Sequence, residues 1–153
     1  MQFFRSINSV EAMTFDLDDT LYNNEPIIRR AEQALQAHIA EHHQQAAKLT
    51  SLDWLQLKRA AIAKDARLAS DMGQLRRVVL SAALSGTPAN RLSIVPTEDT
   101  ALRAAVDSCF NCFYDARSDF ALASNVHHTL DKLSQHLPLV GITNGNVNAQ
   151  KVG

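Results

Sequence analysis

The chain has 153 residues, of which 46% are hydrophobic and 20% charged, with a formal net charge of −1. That is roughly one domain with enough apolar side chains to bury a core. The near balance of charge gives no electrostatic reason to expect nucleic acid or an anionic membrane as a partner. No apolar run approaches the roughly 18 residues of a spanning helix. Met1-Gln2-Phe3-Phe4-Arg5 lacks the basic-then-apolar order of a signal peptide, and two cysteines complete a cytoplasmic picture with reduced thiols.

Residues 1–11 lead into a short apolar run, Ala12-Met13-Thr14-Phe15, which reads as a buried parallel strand. A helix is predicted from Asn24 to about Thr50, because Ile27, Ile28, Ala31, Ala34, Leu35 and Ile39 recur at spacings of three and four. Pro26 suits its first turn and Asn23 or Asn24 its cap. A second helix begins at Ser51 and runs to about Ser70. A third continues past Asp71-Met72-Gly73 to Leu84, with Gly86 and Pro88 as stop signals. A fourth opens around Pro96 with Leu102, Ala105, Val106, Cys109, Phe110 and Phe113 as its apolar stripe. A last helix follows, to His136, with Asn125 as its cap. Leu137 to Ile142 then read as a second buried strand, running into Thr143-Asn144-Gly145-Asn146. Strand, helices, strand describes an insertion in a βαβ crossover, whose handedness sets the two strands side by side.

The chemistry concentrates at the ends of the two strands, where open α/β sheets hold ligands. After the first strand, Asp16-Leu17-Asp18-Asp19-Thr20 spells Asp-x-Asp-x-Thr. One carboxylate can attack while the second, one loop step on, handles the proton, as phosphoryl transfer through an aspartyl-phosphate requires. Thr20 orients Asp18 and tightens the loop, and Asp19 points away as a helix-start acid. After the second strand, Thr143, Asn144 and Gly145 offer a hydroxyl, an amide and close backbone donors for phosphate oxygens.

These two motifs, in this order and about a hundred residues apart, resemble motifs I and II of the haloacid-dehalogenase-like phosphatases. More specifically, they resemble the subgroup whose helical cap is inserted after motif I. The resemblance implies an α/β fold. Residues 1–21 and 124–153 would form a partial Rossmann-like core of parallel strands, and residues 22–123 an all-helical cap. It implies Asp16 as nucleophile, Asp18 as general acid and base, and Mg²⁺ held by Asp16 and by Asp18 through its main-chain carbonyl. The substrate class is a small phosphorylated metabolite. The stretches AMTFDLDDTLYNNEP and PLVGITNGN look most like phosphatases of riboflavin synthesis acting on 5-amino-6-(5-phospho-ribitylamino)uracil. Tyr22, Asn23, Asp71, Arg76 and Arg117 are the candidates for substrate selection by the cap, and Trp54 for an anchor between cap and core. The family's two later motifs, a Lys and an acidic pair, find no counterpart after Asn146. Lys151 stands too near motif II to serve as that Lys. The expectation is an N-terminal part of a longer enzyme, weakly active or inactive alone.

Three other readings compete. A dehalogenase of the same superfamily would not need Asp18. A phospho-acceptor signalling domain needs its acceptor on a later strand of a compact unit, which the helical insertion excludes. A non-catalytic fragment is the third. Elsewhere, Cys109-x-x-Cys112 lies in a helical pattern and reads as core thiols. His38 and His42, one turn apart with no acidic third ligand near, read as a solvated helix face, as do His43, His127 and His128.

Overall fold

A computed structural model describes residues 9–143, 145, 147, 148 and 150–152. The elements in chain order are strand β1 (Met13–Asp16), helices α1 (Asn24–His42), α2 (Ser51–Lys64), α3 (Met72–Ser85), α4 (Thr100–Ser118) and α5 (Ser124–Ser134), and strand β2 (Leu139–Ile142). Short 3₁₀ turns at Ala46–Lys48, Ala66–Ala69 and Ala89–Arg91 link α1 to α2, α2 to α3, and α3 to α4. Two predicted helices are therefore shorter than the apolar spacing suggested. The first stops at His42, and the second stops at Lys64 rather than Ser70. In each case a residue with its own backbone hydrogen bond closes the helix: His43 N–H donates to Ile39 O, and Asp65 N–H to Ala61 O.

The caps are local chemistry. Asn23 accepts from Glu25 N–H, Asp71 from Gln74 N–H, and Asp99 from the N–H groups of Ala101 and Leu102. Thr50 and Asp53 form a reciprocal capping box on α2. Gly86, at φ 67°, ends α3 in the left-handed conformation that glycine adopts without a Cβ penalty. The last helix begins at Ser124 with Ala123 at its cap, so Asn125 is inside it and does not cap it.

Helices α1 to α4 share one core. Ala31, Leu35 and Ile39 of α1 meet Val106, Cys109 and Phe113 of α4. Leu75, Val78, Val79, Leu80, Ala82 and Ala83 of α3 fill the space between these and Leu57 and Ala61 of α2. The four-residue spacing on α1 puts its apolar side chains on one stripe, which is why α1 and α4 lie along each other. Among the described residues no helix is long and apolar enough to cross a membrane.

β1 and β2 pair in parallel, with Met13 opposite Leu139 and Asp16 opposite Ile142. This is the side-by-side placement expected of a crossover. The strands are not buried as predicted: Val140 is 51% and Ile142 57% exposed, and β1 alternates between half-buried and exposed. Among the described residues the sheet has two strands, and α5 contacts β2. The whole is an α/β arrangement dominated by helix.

Candidate active site

The loop after β1 turns back on itself. Thr20 N–H and Leu21 N–H both donate to Leu17 O, and Asp19 takes φ 57° at the apex. Aspartate tolerates that left-handed conformation better than most residues because its short side chain bonds locally. Here the Asp19 carboxylate accepts from Asn24 N–H at 2.8 Å, at the start of α1. The turn carries Tyr22 back beside Asp18, and the Tyr22 hydroxyl donates to Asp18 Oδ1.

A second donor arrives from ninety-nine residues away in sequence. Arg117, in the last turn of α4, is 1% exposed and donates from Nη2 to Asp18 Oδ1 at 2.7 Å. Its guanidinium also lies 5.8 Å from the centre of the Tyr22 ring, and Phe120 meets that ring at 4.5 Å between centroids. Among the described residues the Nε and Nη1 groups of Arg117 are buried without a partner. Burial, then the hydrogen bond to Asp18, push the Tyr22 hydroxyl up to about 12, against a lowering pull from Arg117. A sequence reading gives Arg117 as a cap residue that selects substrate. The structure seats it on the second motif I carboxylate.

The end of β2 faces the same loop. Asp16 is the last residue of β1, opposite the last residue of β2, so Thr143 follows at the same carboxyl edge of the sheet. Gly145 N–H donates to Thr143 Oγ1 at 2.9 Å. A Cβ at Gly145 would sit 2.7 Å from Asp18 Oδ2 and 3.1 Å from Thr143 Oγ1. Only a glycine lets this backbone come so close to the Asp18 carboxylate. Asn144 lies outside the described residues. The loop beyond is tied to α4, with Asn148 N–H donating to the buried Ser118 hydroxyl at 2.9 Å and Lys151 Nζ to Asp115 at 2.6 Å.

Asp16 is exposed, and among the described residues no donor bonds its carboxylate. Thr20 is also exposed, and the contacts that orient Asp18 come from Tyr22 and Arg117 rather than from its hydroxyl.

The remaining cap candidates are engaged elsewhere. Asn23 and Asp71 are helix caps. Arg76 pairs with Glu32 at 2.9 Å and lies 3.5 Å above the Phe113 ring. With Glu32, Trp54 and Lys58 it lines a cavity of about 300 Å³ among α1, α2 and α3. Trp54 thus lines a space inside the helical cluster and is not an anchor between cap and sheet. The sequence offered no sign that Phe120 and Ser118 belong here. An aromatic two residues after a helix and a serine in its last turn have no motif of their own.

No family model matches the chain. It is 29% identical over 158 residues, across 100% of its own length, to 5-amino-6-(5-phospho-D-ribitylamino)uracil phosphatase YigB of Escherichia coli, of which it spans 61%. It is also similar in structure, with a TM-score of 0.82 and 26% identity over 94% of its length, to a 2-haloacid dehalogenase from Pseudomonas syringae pv. Tomato, of which it covers 59%. The chain therefore spans about three fifths of the length of each of these two relatives.

Proposed function

Fold and sequence together support assignment of this chain to the haloacid-dehalogenase-like superfamily of hydrolases, and from that premise we propose that it belongs to a phosphomonoesterase working through an aspartyl-phosphate. The observation that carries the reading is the shared carboxyl edge. Asp16 ends one of two paired parallel strands and Thr143 follows the other, and a Cβ at Gly145 would stand 2.7 Å from Asp18 Oδ2 and 3.1 Å from Thr143 Oγ1.

In the proposed reaction an exposed Asp16 oxygen attacks phosphorus in line, forming an acyl–phosphate bond as the phosphorus–alkoxide bond breaks. Asp18 gives its proton to the leaving alkoxide, then takes one from the water that hydrolyses the anhydride. Thr143 already accepts from Gly145 N–H, so its own hydroxyl hydrogen is available to a phosphoryl oxygen. Tyr22 and Arg117 both hold Asp18 Oδ1, which leaves Oδ2 as the oxygen that carries the proton to the leaving group.

A magnesium ion fits this donor set. The unbonded Asp16 carboxylate and the Asp18 main-chain carbonyl are hard oxygen ligands of the kind Mg²⁺ takes, waters and phosphate completing its shell. Bound there, it would neutralise charge on the phosphoryl oxygens. The phosphorylated ribitylaminouracil named for the Escherichia coli relative is the substrate proposed for this chain.

The Pseudomonas relative raises a dehalogenase reading. Displacement of halide from carbon needs no proton donor, so a second carboxylate two residues after Asp16 favours phosphate. Phosphate release from p-nitrophenyl phosphate and from the ribityl substrate, beside chloride release from 2-chloropropionate, separates the two. Phosphate without chloride is expected. In an enzyme completed with the family's later motifs, Asp16→Asn should abolish turnover and hydroxylamine-trappable acyl phosphate. Asp18→Asn should slow turnover about 10²–10⁴-fold, and less with a good leaving group. Chloride release without phosphate release would overturn the proposal.

A further inference from the structure

The C-terminal turn of α1 meets the middle of α4 at a cluster that the proposed reaction does not use. His38 and His43 come from the first, Cys109 from the second. One ligand atom of each lies within 4.8 Å of the other two. Sequence spacing could not show this, because His38 and Cys109 are seventy-one residues apart and the third ligand is a buried thiol rather than an acid. His38 is not on a solvated face: it is half-buried, its Nε2 lies 3.0 Å from Ser108 Oγ, and His42 stands edge-on to its ring at 4.5 Å.

We propose that His38, His43 and Cys109 form a binding site for a thiolate-accepting transition metal, Zn²⁺ foremost, that clips α1 to α4. The ligand chemistry argues for that class. Two imidazoles and one thiolate suit Zn²⁺ or copper, whereas Mg²⁺ and Ca²⁺ take oxygen ligands. The geometry is close to what such a metal needs. Zinc ligands at about 2.0–2.3 Å in tetrahedral array stand about 3.3–3.8 Å from one another. The cluster closes by side-chain movement of about an ångström.

The supports are also in place. Ser108 fixes the His38 ring, as an outer hydrogen bond does in metal sites. Cys109 is fully buried in the α1–α4 core, so its sulfur is held in position by packing. His43 sits where the helix closes, anchored by its N–H on Ile39 O at 2.8 Å.

The test uses the full chain, reduced with a phosphine and held in excess Mg²⁺ so that carboxylate sites are occupied. Co²⁺ is titrated as the spectroscopic probe and Zn²⁺ as the competitor. The expected result is one equivalent of Co²⁺ with a thiolate-to-cobalt charge-transfer band in the near ultraviolet, displaced by Zn²⁺. Cys109→Ser and His43→Gln should each remove the band and weaken Zn²⁺ binding by about 100-fold or more. Cys112→Ser, on the same helix but bonded to Ala34 O, should change neither. If Cys109→Ser fails to fold, His38→Gln and His43→Gln decide the matter, since both side chains are only half-buried. Metal bound without the sulfur band, or with affinity unchanged in His43→Gln, would overturn the proposal.

Discussion

At Asp18 a single carboxylate is gripped from two sides and approached from a third. The Arg117 guanidinium and the Tyr22 hydroxyl both donate to Oδ1, while on the Oδ2 side Gly145 leaves no room for a Cβ. Gly145→Ala would place a methyl 2.7 Å from that oxygen. Because Tyr22 and Arg117 restrain the carboxylate, the strain should appear as a misplaced acid. Misplacement of about an ångström can cost on the order of 100-fold in rate. In an enzyme completed with the family's later motifs the expectation is a fall in kcat on p-nitrophenyl phosphate of that order, with a small change in the urea midpoint. Tyr22 provides a separate handle. Its hydroxyl stays protonated to about 12 in the folded chain, against 10.0 unperturbed. Its contribution to stability is therefore complete below pH 10 and is lost as pH rises toward 12, because the unfolded chain ionises first. Denaturant midpoints measured across that window should fall more steeply for the native chain than for Tyr22→Phe. Parallel curves would show that the tyrosine is not held as described.

The helices owe their limits to single side chains. Thr50 is the clearest case, since its hydroxyl accepts from Asp53 N–H while the Asp53 carboxylate accepts from Thr50 N–H. Thr50→Ala removes half of that box. It should lower stability by about 1 kcal/mol, read from urea unfolding, without altering the α1–α4 contacts. The apolar repeat on α1 was legible because 3.6-residue periodicity is local. Its end was not. Residues 43–50 keep a helical composition, and only the closing bond of His43 and the short 3₁₀ turn at Ala46–Lys48 redirect the chain. The cap at Asn23 was readable for the same reason as the repeat, since a cap acts within three residues, whereas the fourth helix starts at Thr100 on an Asp99 cap rather than around Pro96.

Across the molecule, order is unequal. The α1–α4 cluster is densely buried, with Ala31, Ile39, Ala61, Leu92 and Cys109 fully enclosed. The sheet leaves Val140 and Ile142 more than half exposed, and α5 has no fully buried residue. Local opening is easiest where few apolar contacts protect the backbone. Amide hydrogen exchange should therefore be faster in β1 and β2 than in the facing turns of α1 and α4. Protection of the strands equal to that of α4 would contradict this ranking of stability.

The sequence by itself determined the order of elements, the parallel crossover and both candidate motifs. Each of these depends on spacing within a few residues or on chain order, so each survives without coordinates. The tertiary structure alone decided which distant side chains meet. It brought Arg117 to Asp18 rather than to a cap surface, turned Trp54, Asp71 and Arg76 toward partners in the helical cluster, and set Cys109 beside His38 and His43. It also decided how much of the sheet is covered. An apolar strand looks the same in sequence whether its faces are packed or open, because burial depends on what lies across the face and not on the strand itself.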